Sequence, residues 1–159
     1  MEFIRKLLES LHLGNRYNKI LIAEQIERDF NTSYPVYVDY FLSYEIGSIN
    51  LPSSIIEEMR NDFEFNVWFL NHYIIVMFSY GWIIGFLSKY NTKYDQLNKV
   101  IYEFNEEAKE HLLSSANNIL NYFGHQEIAN IYTTCGSNMF HEGKDAGKAY
   151  NGSVEINKL

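Results

Sequence analysis

Residues 66–88 contain no Asp, Glu, Lys or Arg, and apolar side chains fall on every side of the helix that this run predicts. A helix apolar all round has to be enclosed, either by its own protein or by lipid. Asn71 and His72 interrupt its first half and leave residues 73–87 as the unbroken apolar part. That part is shorter than the roughly 20 residues of a bilayer crossing and closer to a buried core helix. The flanking cations, Arg60 on one side and Lys89 and Lys93 on the other, are nearly balanced and set no membrane orientation. The run is therefore read as a core helix, with a membrane-associated helical protein as the alternative. Gly81 and Gly85 share one helical face and would let a neighbouring backbone approach closely. Each glycine costs about 1 kcal/mol of helix propensity relative to alanine, which such a contact would offset.

The pattern before this run is also helical. Phe3, Ile4, Leu7, Leu8 and Leu11 recur at spacings of three and four over residues 2–13, with Gly14 as a cap. Ile20, Ile22, Ala23, Ile26 and Phe30 mark a second helix to about residue 30, with Glu24, Glu27, Arg28 and Asp29 facing water. The segment 31–35, ending in Tyr34-Pro35, predicts a break followed by a new helix start at Ser33. Over 36–46, Val36, Val38, Tyr40 and Leu42 alternate as in a strand, yet Val38, Phe41, Leu42 and Ile46 also fit a helical stripe. No second strand is nearby to pair with it, so a short helix ending at Gly47 is expected. Ser53 or Ser54 followed by Glu57 resembles a capping box and opens a helix running to about residue 90, with a kink near 66–72 or at Gly81.

After a start at Asn91-Thr92, the positions Tyr94, Leu97, Ile101, Phe104, Ala108, Leu112, Ala116, Ile119 and Phe123 advance in helical steps up to Gly124. This is the clearest periodicity in the chain, and its stripe predicts an antiparallel neighbour for the apolar run. A short helix is expected at 126–133. Beyond Cys135, Gly136, Gly143, Gly147 and Gly152 predict an irregular or partly disordered segment over 135–159, with a short strand at 153–157.

Composition narrows the function classes. The net charge of −7 argues against a phosphate-binding nucleic-acid surface and suits a basic protein partner. Thirteen Tyr and eleven Phe are an interface signal, though AT-rich coding raises the same residues. One cysteine excludes an intramolecular disulfide, and residues 1–10 lack the apolar core of a secretory signal, so a cytoplasmic location is expected.

No motif carries chemistry. His72, His111, His125 and His141 form no i, i+4 pair, and HExxH and CxxC are absent. Glu107 and His111 share a helical face, and Cys135 has histidines at 125 and 141, but neither pairing rises above an ordinary surface contact or packing thiol. Gly143-Lys144 and Gly147-Lys148 do not complete a phosphate loop. No metal or cofactor and no enzymatic activity are expected.

The sequence thus predicts an all-α fold: a bundle of five or six helices over 1–134 around a central apolar helix, followed by an irregular 135–159 segment. The expected role is a small acidic inhibitor or an immunity- or antidote-like protein that occludes a basic partner, with self-association left open. The candidate contact residues are Glu24, Glu27 and Asp29, and Glu103, Glu106, Glu107 and Glu110, with further acids at Glu57 and Glu58. The alternative is a ligand-binding or enzymatic bundle with a pocket at Asn71 and His72.

Overall fold

The computed structural model describes residues 16–90 and 96–152. The expectations for 2–14, for the helix start at 91–92 and for the strand at 153–157 lie outside these residues. Among the described residues the chain is helical and contains no strand.

Helix α1 spans Arg16–Ser48 and passes through Pro35 without ending, where the sequence predicts a break. An interior proline removes a helical hydrogen bond and clashes with the carbonyl four residues back, at about 3 kcal/mol. Packing on both sides of it outweighs that cost. Phe30 stacks on Tyr34 at 4.9 Å between ring centroids and meets Phe78 edge-on at 5.5 Å, while Val38 and Ile46 are buried beyond the proline. The ambiguous residues 36–46 are accordingly helical.

The single helix expected from 53 to 90 is divided. Helix α2, Ser53–Asn61, follows Pro52 and has no side-chain cap, so the capping box is not formed. Asp62 then turns to an extended backbone, and its carboxylate accepts the Phe65 amide at 2.9 Å, starting α3, Phe63–Trp68. One π-helical stretch, Phe69–Ile74, leads without a break into α4, Ile75–Ser88. The irregularity expected near 66–72 is this wider turn.

Helix α5 spans Gln96–Phe123, and Gly124 closes it with φ of +71°, a conformation that favours glycine. Its inward positions match the periodicity: Leu97, Phe104, Ala108 and Ile119 are buried. It runs antiparallel to α4, since Phe65 meets Phe123 at 4.7 Å, Tyr73 meets His111 at 5.9 Å and Tyr80 meets Phe104 at 6.0 Å.

The main correction concerns the C-terminal part. Residues 135–149 are not irregular; they belong to a continuous helix α6, Gln126–Ala149. Its glycines are contact points rather than breaks, because α6 lies parallel to α4 at nearly backbone-to-backbone distance. A Cβ at Gly81 would come within 2.8 Å of the Phe140 carbonyl carbon, and one at Gly85 within 2.9 Å of that of Lys144. Reciprocally, a Cβ at Gly143 would come within 2.9 Å of the Phe78 carbonyl carbon and one at Gly147 within 2.8 Å of that of Trp82. Two Gly-x-x-x-Gly segments therefore interlock. Carbonyl oxygens stand where side chains would begin, an arrangement that permits weak C–H···O contacts of about 0.5–1 kcal/mol each.

With α1, α5 and α6 around it, α4 has no open side: every residue from 76 to 87 is buried. By length and composition alone Phe63–Ser88 could cross a membrane, but 78% of its most apolar window is covered by protein.

Candidate interaction surface

Three aromatic polar groups of the central helix segment, on Trp82, Tyr80 and Tyr73, are taken up by internal hydrogen bonds. Trp82 is completely buried, and its indole N–H donates to Asp29 Oδ2 at 2.8 Å while Gln25 donates to Oδ1 at 2.8 Å. The Tyr80 hydroxyl donates to Glu107 Oε2 at 2.9 Å, and burial together with that carboxylate raises its pKa. Tyr80 and Trp82 are two residues apart, about 200° around the helix at 3.6 residues per turn. One therefore reaches α5 and the other α1, on different sides of α4.

This geometry separates the predicted acidic residues. Glu24, Glu27 and Asp29 lie on α1, and Glu103, Glu106, Glu107 and Glu110 lie on α5, so the two groups do not form one patch. Asp29 is half-buried and structural, not the water-facing acid expected from the sequence. Glu24, Glu103, Glu107 and Glu110 are exposed. On α5, Lys109 pairs with Glu106 at 2.8 Å and Lys99 with Glu103 at 3.8 Å. Glu57 and Glu58 are exposed on α2.

Asn71 and His72 are both exposed on the outer side of the π-helical stretch. Their position in the sequence puts them inside the apolar run, but in the π-helical stretch the buried side is taken by Phe69, Tyr73 and Ile74. They cannot line a closed pocket. His111 does lie inward, and its Nε2 is buried without a partner among the described residues. Burial holds its pKa below the usual imidazole value, opposed by the backbone carbonyls of His72 and Tyr73.

Cys135 is fully buried and its pKa is pushed up to about 12 by desolvation. A thiol so disposed is not ionised at neutral pH and is a poor nucleophile. Among the described residues no group of three or more His, Cys, Asp or Glu could hold a metal ion.

One surface feature is not evident from the sequence. Val36, Tyr40 and Tyr44 stand one turn apart on the outer face of α1 and are 76%, 73% and 67% exposed. Tyr40 and Tyr44 stack at 6.1 Å, and beside them Tyr37 and Phe41 stack at 6.1 Å. The tyrosine count and the spacing of four were the available signals; the competing strand pattern of the same residues hid them.

The chain matches no family model, no curated protein and no solved structure.

Proposed function

We propose that the chain is a small acidic protein-binding module that occludes a basic partner, in the manner of an inhibitor, immunity or antidote protein. The observation that supports this most is that the polar and nucleophilic groups on or against the core, His111 Nε2 apart, are engaged within the fold. Asp29, Glu107, Tyr73 and Cys135 are taken up by hydrogen bonds or by burial. That leaves the exterior as the working surface, with a net charge of −7 and exposed carboxylates on α1, α2 and α5. Like-signed surface charge accelerates encounter with an oppositely charged protein more than it adds to affinity.

The test is kinetic. A partner captured from native extract and purified should associate with the full chain at a rate that falls about tenfold or more as salt rises from about 0.05 to 0.5 M. Capture of nothing, or a rate indifferent to salt, would remove the proposal.

A further inference from the structure

We infer that the Val36/Tyr40/Tyr44 face of α1 is the docking surface for the basic partner, and that it accepts an amphipathic segment with Arg or Lys interleaved with apolar side chains. The inference rests on the proposed function and adds where and by what chemistry contact is made.

Three observations lead to it. The first is exposure: these large side chains form a continuous stripe rather than scattered single residues, and contiguous apolar surface is where partners dock. The rings of Tyr40 and Tyr44 stack, as do those of Tyr37 and Phe41, so the stripe presents adjoining aromatic surface rather than separate side chains. The second is charge. Between Arg28 and Arg60 the chain has no Lys or Arg, while Asp39, Glu45, Glu57 and Glu58 are acidic. Asp39, three residues beyond Val36, edges the stripe and is exposed.

The third is the type of side chain. Aromatic faces attract cations, guanidinium above all, and tyrosine adds a hydroxyl that stays hydrogen-bonded at a wet rim. A guanidinium between a tyrosine face and the Asp39 carboxylate meets both at once. The same charges disfavour other occupants. An anionic bilayer surface would be repelled by the Asp39 and Glu45 carboxylates, with no Lys or Arg between residues 28 and 60 to offset them, and a second copy of this chain would bring the same negative sign.

The experiment uses the full chain labelled with ¹⁵N and two probes: an amphipathic helical peptide of about 18 residues built from Arg and Leu, roughly five turns, and a scrambled peptide of the same composition. The expected result is backbone shift changes centred on residues 36–47 with the amphipathic probe, and weaker, diffuse changes with the scrambled one. Tyr40→Ala combined with Tyr44→Ala should weaken binding about tenfold or more. Glu103→Gln combined with Glu110→Gln should change it less than about twofold. Both tyrosines are exposed, so circular dichroism should show an unaltered fold.

If the probe maps to α5 and the tyrosine variant binds normally, the inference fails while the proposed function stands. If neither peptide binds, the inference fails, while the proposed function is decided separately by partner capture and the salt dependence of association. Contacts in the free protein between Tyr40 or Tyr44 and residues 3–11, or a dimer that the tyrosine variant abolishes, would show that the stripe is covered by this chain itself and would also overturn the inference.

Discussion

A methyl group has opposite effects at two glycines of this chain. At Gly81 a Cβ would press on the Phe140 carbonyl and the Lys144 amide, and backbone atoms cannot rotate away as a side chain can. Overpacking of this kind costs about 1–3 kcal/mol and occasionally more, and Gly81→Ala belongs at the upper end. Gly47 is helical, and among the described residues nothing lies within 4 Å of the place a Cβ would take, so Gly47→Ala should raise stability by about 0.5–1 kcal/mol. Urea titrations of the two variants should move in opposite directions. Asp29 gives a second test. Asp29→Ala leaves the buried Trp82 indole N–H without an acceptor, at about 1–3 kcal/mol, whereas Asp29→Asn keeps an oxygen there and should cost less. A difference between them in tryptophan fluorescence and denaturation midpoint checks the assignment; equal losses would contradict it.

Among the elements, α4 and α5 were legible because single physical signals dominate them: the absence of charge in one and an undisturbed helical period in the other. Helix α6 was not. Gly136, Gly143 and Gly147 read as breakers, since glycine lowers helix propensity by about 1 kcal/mol each, and the term that overrides this lies in the partner backbone of α4. Gly81 and Gly85 did announce such a partner, but not which segment supplied it. Pro35 misled for the same reason, with Phe30 and Val38 outweighing a local rule. The candidate site was only partly visible. The acids were correctly placed on helices, but nothing in their spacing told that Trp82 and Tyr80 would claim Asp29 and Glu107, or that Asn71 and His72 would face outward. The π-helical stretch has a pH consequence through His111, which packs against Tyr73. Its folded-state pKa lies below the unfolded value of 6.5, so the unfolded chain takes up a proton first. Stability should be fully present above pH 6.5 and fall as pH drops below it, until the folded-state pKa is passed. Thermal melts between about pH 8 and pH 5 should show this slope, and His111→Gln should flatten it.

At the level of the whole molecule, the bundle depends on contacts between segments far apart in the chain: Gly81 meets α6 near residues 140–144. Amide exchange should therefore be slowest in α4 and α6, where opening requires global unfolding, and faster in α2. A mass-spectrometric exchange profile with α2 as protected as α4 would contradict that. The interlocked glycines also bear on how the protein is made. During vectorial synthesis, α4 leaves the ribosome before α6 does, so its glycine face has nothing to close against. In that interval the nascent polypeptide presents to water an apolar rod that by length and composition could enter a membrane. Stalled chains ending at Phe123 should bind chaperones or vesicles, released full-length chains should not, and a crosslinking assay on the two would reveal whether translation passes through this exposed stage.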